Sequence, residues 1–122
     1  MFLISLGGTS YGMAEETIAL YSIVTVTLLA AGFDALVAVS TILFGSTAGV
    51  MGSTVNPFVV SAALDALANA GLDIAVDPSI VIFVNGISWL AMYAIFCVFT
   101  MSYAKKVKAD KSKSVLSEED LA

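Results

Sequence analysis

The chain has 122 residues, of which 59% are hydrophobic and 12% are charged, and its mean hydropathy is +0.97. A soluble domain carries about 25% charged residues, so this composition excludes an ordinary soluble protein and predicts an integral membrane protein. Histidine is absent and Cys97 is the single cysteine, which argues against a zinc or copper site and against an internal disulfide. No nucleophile–base pair, phosphate-binding loop or metal cluster is visible, so we predict neither an enzyme nor a bound cofactor.

Residues 1–33 have the pattern of a re-entrant hairpin whose tip is acidic and rich in glycine. The apolar stretch Met1–Ser10 is too short to cross a bilayer, which requires about 20 residues. Gly12 and the adjacent carboxylates Glu15 and Glu16 follow, and the next stretch, Thr17–Phe33, is free of charge but also short for a span. An alternative stays open, in which the two glutamates form an exposed pair that caps a helix starting near Thr17.

Residues 34–71 are predicted to form a transmembrane helix that is broken near residues 49–57. Asp34 is a suitable N-cap for this helix, and Gly71 is a suitable C-terminal stop. The break is predicted because Gly49 and Gly52 weaken the helix and Pro57 removes a backbone donor. Ser53, Thr54 and Asn56 offer side-chain partners for the freed backbone groups, and we expect the backbone from Ser53 to Asn56 to be non-helical.

The second part of the chain contains a loop and a complete span. Asp65 and Asn69 lie four residues apart on one helix face, where they are candidates for lining a water path. Residues 72–78 are predicted to form an external loop, and the charge-free residues 79–103 a full transmembrane helix. Asn85-Gly86 within this span is interpreted as a helix-packing or water-contacting spot rather than a turn.

A tail of residues 104–122 follows the last span. All five lysines lie between Lys105 and Lys113, directly after the apolar run, so this end is predicted to be cytoplasmic. The cluster adjoins a membrane span in an acidic chain of net charge −5, which argues against nucleic acid as its partner. The segment Ser117–Asp120 has the pattern of an acidic helix N-terminus. The predicted fold is thus an all-α, multi-pass membrane protein, a helical bundle with a re-entrant arm, a broken transmembrane helix and one full span.

Three motifs carry a resemblance to a known family. They are Ser10–Ala19 (S-Y-G-M-A-E-E-T-I-A), Gly52–Phe58 (G-S-T-V-N-P-F) and Tyr103–Lys108 (Y-A-K-K-V-K). Together they resemble the YfcC-type branch of the C4-dicarboxylate anaerobic carriers, which includes proteins described as arginine/ornithine or basic amino acid antiporters. Members are several times longer, so the resemblance implies a fragment that works with the remaining half of a transporter.

The resemblance also implies an architecture and a mechanism. Carriers of the wider ion-transporter superfamily are implied to be inner-membrane homodimers with a scaffold domain and a mobile transport domain, working by alternating access. Each half contributes a re-entrant hairpin and a broken helix that together bind substrate and a coupling ion, Na⁺ or H⁺. The run Ser53–Asn56 has the residue types of the family's Na⁺ signature in a different order, so a Na⁺ site at Ser53, Thr54 and Asn56 is an expectation by resemblance.

Candidate binding residues therefore lie in two places. They are Gly12, Glu15, Glu16 and Thr17 at the hairpin tip, and Ser53, Thr54, Asn56 and Pro57 at the helix break. Paired carboxylates suit the cation of a basic amino acid or a proton relay. They would repel a dicarboxylate unless they were protonated or neutralised by Na⁺, which favours amino acid exchange. The half-helix after Pro57 would instead present its N-terminus to a carboxylate.

Other interpretations stay open. A C4-dicarboxylate carrier coupled to Na⁺ or H⁺ is the first alternative, and a non-transporting helical module that assembles with a partner chain is another. Tyr21 and Trp89 are candidates for an aromatic wall around a cation, or else for packing.

Overall fold

A computed structural model describes residues 1–72 and 75–115. The regular secondary structure in this part of the chain consists of helices alone, as predicted. The helices are α1 (Phe2–Tyr11), α2 (Leu20–Ala30), α3 (Ala35–Gly52), α4 (Pro57–Asn69) and α5 (Pro78–Ala109), with short 3-10 helices at Glu15–Ala19 and Lys111–Lys113. The predicted acidic helix start at Ser117–Asp120 lies outside the described residues, as does Asp73 in the predicted external loop.

Helix α3 is the centre of the packing, and α1, α2 and α5 all lie against it. Its crossing with α1 is close because both helices carry glycine where they meet. A Cβ added to Gly49 would collide with the Ser5 carbonyl oxygen and would lie 2.7 Å from the Cα of Gly8. Small residues permit this backbone approach between helices in a membrane, where helix association depends on packing.

The backbone from Ser53 to Asn56 is non-helical, as predicted, but the interruption is shorter than the predicted 49–57. Gly49 and Gly52 are helical. Their missing Cβ atoms make room for neighbours, Ser5 and Gly8 of α1 at Gly49 and Trp89 of α5 at Gly52. Pro57 begins α4 at the first helical position, where its lack of an N–H costs no hydrogen bond. The depth of this interruption in a membrane stays a prediction.

Asp34 fixes the N-terminal end of α3. It is 1% exposed, and its Oδ1 accepts a hydrogen bond of 2.9 Å from the Val37 N–H, which confirms the predicted cap. Its Oδ2 accepts hydrogen bonds of 2.7 Å each from the hydroxyls of Tyr103 and Ser114. Burial raises the pKa of Asp34, but these hydrogen bonds outweigh burial and hold the pKa below its usual range. One carboxylate thereby joins the start of α3 to the end of α5 and to the tail.

Two described helices, α3 with 18 residues and α5 with 32, are long and apolar enough to cross a membrane. The predicted span over 79–103 is helical throughout and includes Asn85-Gly86. The helix continues six residues past its predicted end at Tyr103, to Ala109. Lys106 and Lys108 lie in this last turn, where cations are favourable at the negative end of the helix dipole. The first part of the predicted tail is therefore helical.

Residues 1–33 form two short helices joined by a tip. Helices α1 and α2 have 10 and 11 residues, and both pack on α3. Gly12 ends α1 in the left-handed region at φ 80°, and the 3-10 helix at Glu15–Ala19 leads into α2. This arrangement has the outline of the predicted hairpin, while its re-entrant position in a bilayer stays a prediction. Gly71 has φ 75° and follows α4, as expected for a helix stop.

Candidate functional site

The tip of α1 and the non-helical segment between α3 and α4 are joined by a threonine pair. The hydroxyls of Thr9 and Thr54 lie 3.0 Å apart, and the Thr54 N–H donates to Thr9 Oγ1 at 3.1 Å. The Val55 N–H also donates to the Thr9 carbonyl at 3.4 Å. Since backbone freed by a helix interruption needs partners when it is removed from water, α1 supplies part of what the α3–α4 interruption requires.

Asn56 is the buried cap of α4. It is 2% exposed, and its Oδ1 accepts from the Phe58 N–H at 3.0 Å, while the Val60 N–H donates to the Asn56 carbonyl at 3.3 Å. The Asn56 Nδ2 lies against Gly12, where a Cβ would be only 2.6 Å from it. Asn56 thus caps the N-terminus of α4, the helix end that was predicted to face a substrate carboxylate. Its side-chain amide also contacts the hairpin tip at Gly12.

Ser53 lies at the end of α3 in an uncommon conformation. It is the only described residue other than glycine with a positive φ, at 26°. Its hydroxyl donates to the Val50 carbonyl, and its own carbonyl accepts from the Asn85 Nδ2 at 3.1 Å. The backbone turn after α3 is therefore fixed by one hydrogen bond to α3 itself and by one from α5.

An open cleft of about 440 Å³ brings the two predicted parts of the site together. Its lining includes Gly12, Glu15 and Glu16 from the tip and Asn56 from the helix interruption. Both glutamates are exposed at the start of the 3-10 helix, and no ion pair to either occurs within residues 1–72 and 75–115. In this chain, then, the carboxylates line an acidic opening beside a buried amide, an arrangement that can receive a cationic group.

The remaining candidates at the helix interruption face other openings. Thr54, Asn56 and Pro57 line a cleft of about 290 Å³ between α4 and α5. Ser53 lines a third, of about 330 Å³, together with Asn85. Thr17 is 2% exposed, and its hydroxyl donates to the Ala14 carbonyl, so it stabilises the tip from inside.

The oxygen atoms expected to bind Na⁺ have partners within the protein. Ser53 donates to Val50, the Thr54 hydroxyl is bonded to Thr9, and Asn56 Oδ1 accepts from Phe58. Hydroxyl and amide oxygens retain further lone pairs, so these hydrogen bonds orient the ligand types that a hard cation prefers. Among the described residues, no cluster of three or more His, Cys, Asp or Glu could hold a metal ion.

Four other sequence candidates lie away from these clefts. Asp65 and Asn69 are exposed on α4, which has no buried residue. Trp89 lies against Phe2, with ring centroids 6.4 Å apart, and donates its indole N–H to the Ser5 hydroxyl at 2.6 Å. Tyr21 is not among the ring partners of Trp89 in the described part of the chain, so the structure does not bring the two into one aromatic wall.

Three residues at the site were not predicted from the sequence to act there. Thr9 and Ser5 were placed only within the apolar stretch Met1–Ser10, and Asn85 was interpreted as a packing or water-contacting spot. Each is a small polar residue within an apolar run. A buried hydroxyl or amide within an apolar run requires a hydrogen-bond partner, and this requirement is the signal by which such residues could be found.

Comparison with known proteins shows where the chain belongs. The sequence model of the family described as "C4-dicarboxylate anaerobic carrier" matches residues 1–121. A Haemophilus influenzae protein named "Uncharacterized protein" is 38% identical over 117 residues, covering 92% of this chain and 21% of the relative. The Escherichia coli K12 protein named "Putative basic amino acid antiporter YfcC" is 31% identical over 123 residues, covering 97% of this chain and 22% of the relative.

The chain spans about a fifth of the length of these curated relatives, at 21% and 22%. No solved structure shows a significant match to it. The family match extends over nearly the whole chain and includes both the hairpin tip and the helix interruption. The chain therefore belongs to the C4-dicarboxylate anaerobic carrier family.

Proposed function

We propose that the chain is part of a secondary active transporter that exchanges basic amino acids across the cell inner membrane by alternating access. Support comes from the family membership and from the name of the Escherichia coli relative. The observation that carries the choice of substrate is the cleft in which Glu15 and Glu16 lie beside Asn56. Two carboxylates are suited to the guanidinium or ammonium group of a basic amino acid.

In this proposal the site has two functions. The carboxylates at the tip receive the cationic side chain, and Thr54 and Asn56 at the helix interruption bind polar groups of the substrate or a coupling ion, Na⁺ or H⁺. Gly12 permits close approach because the Asn56 amide occupies the space that a Cβ would need. Asp65 and Asn69 then belong to a water path that leads to the site.

A C4-dicarboxylate is the second candidate substrate, and the family's own description favours it. The two glutamates would then have to be protonated or paired with Na⁺, because ionised they repel a dianion. The third candidate is a non-transporting helical module that assembles with a separate chain.

The rest of the carrier is a proposed partner of this chain. Helix α4 has no buried residue, and the chain corresponds to about a fifth of its relatives, at 21% and 22%. We propose that the rest of the transporter covers α4, that the carrier is a homodimer, and that the lysine-rich tail is cytoplasmic.

Ligand binding to the purified carrier, this chain together with the rest of the transporter, tests the proposal. Thermal unfolding is measured with arginine and ornithine, and in parallel with succinate and fumarate, in Na⁺ and in K⁺ buffer. A ligand at 100 times its dissociation constant stabilises by about 2.7 kcal/mol, which is readily detected. We expect stabilisation by the amino acids alone. Stabilisation by the dicarboxylates alone would support the second candidate, and no stabilisation by any ligand would favour a non-transporting module.

Variants of the hairpin tip test whether the stabilisation by basic amino acids arises there. Glu15→Gln is expected to abolish stabilisation by arginine and ornithine, since it removes one of the two charges in the cleft. Asp110→Asn is the matched control, because it also removes one negative charge but lies beyond α5. Unchanged affinity in Glu15→Gln would rule out the acidic tip as the cation site.

A further inference from the structure

One face of α5 contacts both the helix interruption and α1 of the hairpin. Asn85 and Trp89 are four residues apart and therefore lie one above the other on the helix. The Asn85 Nδ2 donates to the Ser53 carbonyl at 3.1 Å, and the Trp89 Nε1 donates to the Ser5 hydroxyl at 2.6 Å. The first bond reaches the helix interruption, and the second reaches α1 of the hairpin.

The bond from Asn85 acts on a single peptide unit. The carbonyl of Ser53 and the N–H of Thr54 belong to the same peptide group, which is planar and rigid. Its carbonyl accepts from Asn85 of α5, and its N–H donates to Thr9 Oγ1 of α1 at 3.1 Å. The orientation of this plane is therefore set from two sides by two different helices, and it determines where Thr54 points.

Trp89 secures the same arrangement through packing. A Cβ on Gly52 would collide with the Cβ of Trp89, so the end of α3 rests directly on this residue. Ser5, which accepts the indole hydrogen bond, is fully buried on α1. Trp89 thus fixes the distance between α1 and the last turn of α3.

We propose that Asn85 and Trp89 are positioning residues, which hold the Ser53–Thr54 peptide unit and the hairpin arm in the geometry that binds substrate. This inference rests on the proposed function of the helix interruption and assigns the α5 residues that support it. Asn85 lines a cleft with Ser53 that is separate from the acidic cleft, so it acts through Ser53 and Thr54 rather than on the substrate itself.

Substrate affinity in the carrier provides the first test. Asn85→Leu keeps the approximate shape and removes the donor, and we expect roughly tenfold weaker binding of the ligand that stabilises the wild type. Asn85→Gln keeps the amide donor and is expected to lose less. Ser88→Ala is the control on the same helix, because the Ser88 hydroxyl bonds only locally, to the Val84 carbonyl at 3.0 Å. Lower thermal stability with unchanged affinity would overturn the proposal.

The hydrogen bond between Trp89 and Ser5 is tested by a double-mutant cycle. Ser5→Ala and Trp89→Phe each remove one partner of this bond, and Trp89→Phe also reduces the ring, so we expect each to weaken affinity and the double variant to be no weaker than Trp89→Phe alone. If Asn85→Leu does not fold, this cycle still tests the positioning role, because its variants leave Asn85 unchanged. Additive losses, or no losses, would contradict the assignment of Trp89.

A second readout separates this inference from the proposed function. Val55 is exposed next to the Ser53–Thr54 peptide unit, and Val55→Cys in a Cys97→Ala background provides the one cysteine of this chain, in a carrier whose other cysteines are replaced. We expect Asn85→Leu to raise its labelling rate by a membrane-permeant maleimide several-fold, and Ser88→Ala to leave the rate unchanged. If the wild type binds none of the ligands, the proposed function is wrong, and the labelling rate alone tests the positioning role of Asn85. An unchanged rate in Asn85→Leu would overturn the positioning role.

Discussion

The two ends of α3 are both joined to α5, but by different chemistry. At the N-terminal end, the buried carboxylate of Asp34 accepts from two hydroxyls at 2.7 Å and from a backbone N–H at 2.9 Å. At the C-terminal end, the neutral carbonyl of Ser53 accepts from Asn85 at 3.1 Å. Hydrogen bonds to a charged acceptor are roughly twice as strong as neutral ones. The contact between α3 and α5 is therefore stronger at the tail, which we call the strongly held end, than at the candidate site, which we call the weakly held end.

This difference fits the proposed transport function. A binding site that alternates between two sides of a membrane requires a backbone segment whose arrangement changes at low cost, next to elements that stay in place. At Ser53 and Thr54 the contacts join neutral groups and open clefts border the segment, so we propose that this segment meets the first requirement. The carboxylate network at Asp34 meets the second. Variants at the two ends should therefore differ in what they change.

The largest expected effect is at the crossing of α1 and α3, on which the weakly held end depends. Gly49→Val places side-chain atoms where the backbone of Ser5 and Gly8 lies, and backbone cannot move aside as a side chain does. We expect a loss of about 3 kcal/mol in the free energy of unfolding. Denaturation of the purified carrier in detergent, followed by circular dichroism, measures it.

Gly86→Ala is the matched control for this variant. Gly86 is also a helical glycine, but its Cβ would meet only the Thr54 Cγ2, at 3.8 Å. Without a clash, alanine is expected to be neutral or to stabilise by up to about 1 kcal/mol through its helix propensity. An equal loss in both variants would mean that glycine flexibility, rather than the close crossing, determines the cost.

The next largest effect is at the strongly held end. Asp34→Ala removes the cap of α3 and leaves the hydroxyls of Tyr103 and Ser114 without this acceptor, so we expect a loss of about 2 kcal/mol in the free energy of unfolding. Substrate affinity should change little, in contrast to Asn85→Leu. Asp77→Ala is the control, since Asp77 is an exposed cap that accepts from the Ser79 N–H. A large loss of affinity in Asp34→Ala would contradict the division between the two ends.

Local features of both ends could be predicted from the sequence. Asp34 before an apolar run and Gly71 after a helix each act through their own backbone or their nearest neighbours, and both predictions are confirmed. Pro57 was predicted to lie within the break and instead begins α4. The chemistry of caps and stops is local, so one sequence is sufficient to find it. The extent of the helix interruption was overestimated, because Gly49 and Gly52 were interpreted as helix breakers, whereas they lie within α3 where it packs closely on α1 and α5.

The partners across the helices could not be predicted. Thr9 and Thr54 are 45 residues apart, Ser53 and Asn85 are 32 apart, and Asp34 and Tyr103 are 69 apart. Such pairs depend on how each helix is rotated about its axis. In a helix such as α5, which is apolar on all sides, the sequence contains no polar stripe that would fix this rotation. Polar residues in the apolar runs could therefore be found in the sequence, but their hydrogen-bond partners on other helices could not.

The smallest expected effect is the pH dependence of the strongly held end. The pKa of Asp34 lies below its ordinary value of 3.8, because its hydrogen bonds outweigh burial. A carboxyl whose pKa is lower in the folded protein stabilises fully above its unfolded pKa, and the contribution is lost as the pH falls toward the folded pKa. We expect the difference in unfolding free energy between wild type and Asp34→Asn to be constant from about pH 7 to pH 5 and to shrink below about pH 4. Tyr103→Phe should move this loss to higher pH, since it removes one of the lowering hydrogen bonds. A difference that grows on acidification would mean that burial dominates and that the ionised carboxylate is not what holds this end of α3.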